Sequence, residues 1–203
     1  MTLETNLKSS RVTYLAMVKT VVVKLGSQLL TGDDGLNAPF IRSIAGQVAA
    51  LRERGIHVTI VSSGAISAGL RELKLTKRPA DLPILQAVAA VGQRRLIDTW
   101  ADAFHPFGMP VAQVLLTRED VDDRTRFLNV RNTLHAIHEM NAVPIINEND
   151  TISTDELVAI TFGDNDILAG LVTNALQANL LILLTVVDGL MDAAGKSFYR
   201  SRA

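Results

Sequence analysis

From Met17 onward, short apolar runs alternate with longer stretches whose apolar residues fall three and four apart. Val18 to Leu25, His57 to Val61, Met109 to Leu116, Ala142 to Asn147 and Leu180 to Leu184 have the length and side chains of buried strands. Between them, Asn37 opens a helix on which Phe40, Ile41, Ile44, Val48 and Leu51 share a face, with Pro39 in its first turn and Gly55 beyond its end. Ile84 to Phe104, Asn129 to Met140 and a segment from an Asp164 cap to Ala178 are the other predicted helices. Near-continuous apolar strands that alternate with helices predict an α/β fold, a three-layer α/β/α sandwich around a mostly parallel open sheet with right-handed crossovers. Arg71 to Pro83 is polar, contains prolines and is expected to be a mobile loop. Residues 1–16 lack strong periodicity and are expected to form an arm ahead of one domain, 17–190, with 191–203 as a tail.

Composition narrows the function classes. The 203 residues are 48% hydrophobic and 20% charged with a formal net charge of −1, so no bulk attraction to nucleic acid or to an anionic membrane is expected. Phosphate binding has to be local. Cysteine is absent, which removes disulfides and thiolate metal sites and fits a reducing, cytoplasmic setting. The longest apolar run, Leu180 to Val187, is far short of the roughly 20 residues of a membrane-crossing helix. No signal peptide is expected at the start.

The chemistry gathers at strand ends. Lys24-Leu25-Gly26-Ser27 and Ser62-Ser63-Gly64-Ala65 each follow an apolar run, where backbone amides and a helix N-terminus can face an anion. Ile146-Asn147-Glu148-Asn149-Asp150 and Gly163-Asp164-Asn165-Asp166 add four carboxylates and three amides, suited to orienting a small polar ligand. Plainer readings stand beside these: an ordinary strand-to-turn lysine, an N-cap by Ser62 or Ser63, and an acidic first turn at Asp164 and Asp166. In open parallel sheets ligands bind beyond the carboxyl ends of the strands, where Lys24, Ser63, Asp150 and Thr185 all fall. Neither a Gly-x-x-x-x-Gly-Lys-Ser/Thr nor a Gly-x-Gly-x-x-Gly nor a Gly-x-Ser-x-Gly pattern occurs. His135 and His138 share a helical face without an evident third ligand, so no metal site is expected.

Seven segments in order carry a resemblance: Val22 to Ser27, Val61 to Ile66, Ala89 to Gln93, Leu115 to Arg118, Phe127 to Asn129, Ile145 to Asp150 and Phe162 to Asp166. Together they resemble the amino acid kinase family, and Gln93, Leu115-Leu116-Thr117-Arg118 and Asn147-Glu148-Asn149-Asp150 are similar to its glutamate 5-kinase branch. The resemblance implies transfer of the ATP γ-phosphate to the side-chain carboxylate of L-glutamate, the first step of proline synthesis, with Mg2+ accompanying ATP. It implies that Lys24 stabilises the transferring phosphoryl group and that Asp166 orients lysine. Ser63, Asp150 and Asn165 match glutamate-binding positions, Gly26 and Gly64 offer backbone amides to phosphate, and Thr185 and Val186 lie where the nucleotide side begins.

Two departures qualify what the resemblance implies. Val186 stands where the family usually has aspartate, and from Met191 to Ala203 the pattern is no longer followed, as in a chain that lacks its C-terminal part. Other readings are a different member of the family, acting on a carbamate, an aspartate or a nucleotide, or a noncatalytic fragment that binds glutamate or a partner chain. Leu180 to Leu184 is expected to expose apolar sheet surface and to favour self-association into a homo-oligomer.

Overall fold

The computed structural model describes residues 12–32, 35–152, 164–187 and 189. The expected Gly163 of the acidic turn, the first part of the amino-terminal arm and the 191–203 tail lie outside the described residues.

Five parallel strands make the sheet, in the order β5-β6-β4-β1-β7: β1 Thr20–Leu25, β4 His57–Val61, β5 Val111–Leu116, β6 Val143–Glu148 and β7 Leu180–Leu184. A separate antiparallel ribbon pairs β2 Thr31–Gly32 with β3 Gly35–Leu36 and was not foreseen, because two-residue strands leave no periodicity to detect. The helices are α1, of which residues 12–16 are described, α2 Ser27–Leu30, α3 Ala38–Glu53, α4 Ala65–Glu72, α5 Leu82–Phe104, α6 Arg118–Asp122, α7 Arg124–Glu139 and α8 Asp164–Ala175. Among the described residues no helix is long and apolar enough to cross a membrane.

The pleat sorts side chains between two helical layers. Val21, Val23 and Leu25 of β1, Val58 and Ile60 of β4, and Val143 and Ile145 of β6 face Ile41, Ile44 and Val48 of α3 and Leu96, Trp100 and Phe104 of α5. The residues between them, Val22, Val61 and Ile146, pack with Leu134 of α7 and Leu168, Ala169 and Val172 of α8. Each layer hides side chains worth about 1.5–3 kcal/mol apiece, which is why the runs read as almost wholly apolar.

Caps explain where several boundaries fall. Asn37 accepts from the Phe40 amide at 3.2 Å, as its side chain type suggests. Asp81 does the same for Ile84 at 3.1 Å, so α5 starts at Leu82, two residues before the periodicity alone indicates. Asp123 caps α7 through the Arg126 amide at 2.8 Å, and this helix starts five residues before the expected Asn129. The strand of the first apolar run starts at Thr20 and that of the third at Val111, each two residues later than expected. Asp164 is already helical instead of standing outside as a cap, and α8 ends at Ala175 instead of Ala178. The expected loop is shorter than Arg71 to Pro83, since Arg71 and Glu72 finish α4 and Leu82 and Pro83 open α5. Residues 12–16 of the expected arm are helical.

At the amino end of β4 lies a polar cluster. Thr59, on the α7 side of the sheet, meets buried His138 Nε2 at 2.9 Å, and Arg52 reaches His57 Nδ1 and His138 Nδ1 at 3.2 Å each and Asn141 Oδ1 at 2.7 Å. Because a guanidinium can only donate, both histidines present an unprotonated Nδ1. Burial, with the neighbouring charges of His57, Arg52 and His135 adding to it, depresses the pKa of His138 to about 3.

Candidate functional site

The cleft at the carboxyl ends of the strands starts with Lys24. Pleat alternation puts Lys24 on the same face as Val22, toward α8, and its ammonium meets Asp166 Oδ1 in the first turn of α8 at 2.7 Å. The lysine side chain is 13% exposed, so this pair is largely withdrawn from solvent on the cation's side. Gly26 follows, and its amide donates to Leu184 O at 3.2 Å, tying the turn after β1 to the end of β7. Thr185, Val186 and Val187 continue from that end along the cleft wall.

The second wall is built on β4. Ser62 is fully buried and accepts from Trp100 Nε1 at 3.1 Å, while its backbone amide donates to Ile146 O at 2.8 Å. Neither Ser62 nor Ser63 caps α4. Gly64 holds the cap position with φ 97°, in the left-handed region open to glycine, and no side chain covers the helix N-terminus. The amides of Ala65, Ile66 and Ser67 therefore open α4 without side-chain acceptors, and all three residues line the cleft.

Asn165 joins the two walls. Its Nδ2 donates to Ser62 O at 3.1 Å and to Ser63 Oγ at 2.5 Å. Since Ser62 O can only accept, the amide orientation is fixed. Asn165 Oδ1 is buried and has no hydrogen-bond partner among the described residues. Such an orphan acceptor costs about 1–3 kcal/mol unless a donor meets it, so it marks a place for a ligand N–H or O–H.

The third wall follows β6. Asn147, on the α5 side of the sheet, donates through Nδ2 to Gln93 Oε1 at 2.7 Å, a buried contact that sets its rotamer. Asn149 is turned aside by accepting from Thr151 Oγ1 at 2.5 Å. Asp150 reaches the cleft, and burial raises its pKa to about 6, with the charge of Arg78 opposing the shift.

Lys24, Gly26, Ser63, Asp150, Asn165, Asp166, Thr185 and Val186 thus line one cleft of about 670 Å3, although they come from five separate stretches of the chain. Its chemistry is two-sided: an ammonium and an uncapped helix N-terminus face an anion, and a carboxyl and an orphan carbonyl face a donor. Sequence reasoning gave no role to Gln93 and missed Arg78. Gln93 sits in a helix without any local sign of its partner, and Arg78 lies in a polar loop among other cations.

Comparison with known proteins agrees with this architecture. The chain is 54% identical over 180 residues to a glutamate 5-kinase of Geobacter sulfurreducens, covering 88% of this chain and 48% of that one. It is 50% identical over 184 residues to a glutamate 5-kinase of Thermus thermophilus, covering 91% and 49% respectively. A glutamate 5-kinase of Pseudomonas putida is 49% identical over 176 residues, covering 86% and 46%. The chain spans about half the length of these curated relatives. With a five-stranded parallel sheet, a cleft at its carboxyl edge and a match to the family model over residues 19–200, the chain belongs to the amino acid kinase family.

Proposed function

We propose that this chain takes part in ATP-dependent phosphorylation of the side-chain carboxylate of L-glutamate, giving glutamyl 5-phosphate for proline synthesis. One observation carries the reading: the Lys24–Asp166 pair, at 2.7 Å, stands over the same cleft that Ser63, Asp150 and Asn165 line. A carboxylate is a weak, already negative nucleophile, so the barrier is charge repulsion and alignment. Lys24 offsets charge on the transferring phosphoryl group, and Asp166 holds the ammonium in place. The uncapped amides of α4 serve the phosphate oxygens, and Gly26, whose amide is committed to Leu184 O, contributes only the room that its missing side chain leaves beside Lys24. Ser63, Asp150 and Asn165 hold glutamate, with Asp150 taking its α-ammonium and Asn165 Oδ1 a ligand donor. Thr185 and Val186 lie toward the nucleotide.

Mg2+ belongs to this reading as the companion of ATP, lowering the charge of the phosphates. Such an ion is held largely by phosphate and water. Among the described residues no group of three or more histidine or acidic side chains is arranged to hold a metal, so no protein-held metal is assigned. A cytoplasmic setting, where ATP and free amino acids meet, is part of the same proposal.

The test is calorimetry and phosphoryl transfer on the purified chain with L-glutamate, L-aspartate and Mg-ATP. Saturable binding of glutamate in preference to aspartate is the expected result. Glutamate heat without transfer would identify a binding unit that needs further chain for turnover, and preference for aspartate would overturn the substrate.

A further inference from the structure

Among the described residues two cationic side chains line the cleft, Lys24 and Arg78, and they are committed differently. Lys24 is largely buried and engaged by Asp166 at 2.7 Å. Arg78 is exposed, lies between α4 and α5, and makes neither an ion pair nor a hydrogen bond among the described residues. It nevertheless stands close enough to Asp150 for its charge to act on that carboxyl, while forming no direct pair with it. Opposite charges thus face the same part of the cleft across a gap.

We propose that Arg78 is a specificity-determining residue that binds the α-carboxylate of the amino acid whose α-ammonium is held by Asp150. The inference rests on the reading of glutamate as the phosphoryl acceptor and deepens it. A zwitterionic head satisfies both charges at once, ammonium to carboxylate and carboxylate to guanidinium, where either alone leaves a charged partner unmet. The guanidinium fork matches a carboxylate in a two-point contact that an ammonium cannot reproduce. Lys24 is unsuited to this end of the ligand, because Asp166 fixes it at the mouth of β1 beside Gly26, the end where the side-chain carboxylate must meet the phosphoryl donor. The head is then read by Arg78 and Asp150, while Lys24 and the α4 amides serve the phosphoryl group that the reacting carboxylate meets. A dicarboxylate without the ammonium, or an amine without the α-carboxylate, fills only half of this arrangement.

The test is calorimetric titration of the unmodified chain, Arg78→Gln and Arg78→Lys with two ligands, L-glutamate and its α-carboxamide analogue L-isoglutamine. Arg78→Gln should weaken glutamate roughly 10- to 100-fold, as expected for losing a hydrogen-bonded charge pair, and Arg78→Lys should recover part of the loss. Isoglutamine, which lacks the α-carboxylate, should bind weakly and equally to the unmodified chain and Arg78→Gln. Because Arg78 is exposed, the melting temperature of both variants should match the unmodified chain within about 1 °C. Unchanged glutamate affinity in Arg78→Gln overturns the inference, as does an equal loss for both ligands, which would make Arg78 an influence on Asp150 or its loop. If the unmodified chain itself binds no glutamate, the substrate reading fails first and this inference with it, an outcome visible before any variant is made.

Discussion

Gly92 of α5 lies so close against the Ala65 carbonyl of α4 that a Cβ on Gly92 would stand 1.8 Å from that oxygen and 2.3 Å from the Gly69 amide nitrogen. Gly69 repays the contact one turn along, where a Cβ would stand 1.9 Å from Val88 O. These are backbone atoms, which cannot swing aside as a flexible side chain can. Gly92→Ala should therefore either push α4 off α5 or unfold the region, at a cost of about 3 kcal/mol or more. Urea denaturation measures the loss, and a midpoint equal to the unmodified chain would show that the helices separate freely.

Acid stability should depend on two groups of opposite sign, buried His138 and half-buried Asp150. His138 has a folded pKa of about 3, below the ordinary 6.5, so protons prefer the unfolded chain and stability is lost as pH falls below about 6.5. Asp150 has a folded pKa of about 6, above its ordinary 3.8, so its contribution is complete below about pH 4 and is lost as pH rises through 6. Between pH 6 and 4 the two trends oppose each other. Replacing His138 with glutamine should leave a chain that gains relative stability on acidification, and Asp150→Asn one that loses it faster, by up to about 1 kcal/mol per pH unit. Denaturation midpoints at pH 7, 6, 5 and 4 decide this, and identical slopes for both variants would count against it.

Ligand binding carries its own pH signature. If Asp150 receives an ammonium, only its ionised form binds, and affinity for L-glutamate should fall below about pH 6, approaching tenfold per pH unit. Asp150→Asn should bind weakly at every pH. A glutamate affinity that is flat from pH 7.5 to 5 would place the ammonium elsewhere.

Lys24→Ala, made in an active form, should mainly lower turnover while leaving glutamate binding near that of the unmodified protein. A role at the transferring phosphoryl group predicts a loss of about 100-fold or more in kcat. A change confined to KM would assign Lys24 to binding alone. The same substitution removes the partner that Asp166 holds at 2.7 Å, so Asp166→Asn should show a smaller loss in the same direction.

Much of this was legible in the chain because sheet and helix impose different spacings on apolar residues. Val21 to Val23 and Val58 to Val61 announce strands buried on both faces, and the small, polar residues just after them announce the cleft. Asn37 and the run behind it gave a helix start to the residue. What the sequence concealed was long-range pairing. Nothing near Asn147 names Gln93, 54 positions away, and nothing near Ser62 names Trp100. Asp81 and Asp123 are ordinary caps, but each precedes residues too polar or too mixed to extend the helical period back to them. The plainer reading of a serine cap does not hold because the chain turns into α4 through a left-handed residue, and that conformation favours Gly64 over its serine neighbours.

Alternation along the strands leaves the cleft with two separate foundations. Lys24 hangs from the side of the sheet that α8 supports, and Asn147 from the side that α5 supports. A loosening of α8 therefore disturbs Lys24, Asp166 and Asn165 while Asn147 keeps its footing, and a shift of α5 does the reverse. Substitutions deep in one helical layer should accordingly impair one half of recognition at a time, even where they never approach the ligand.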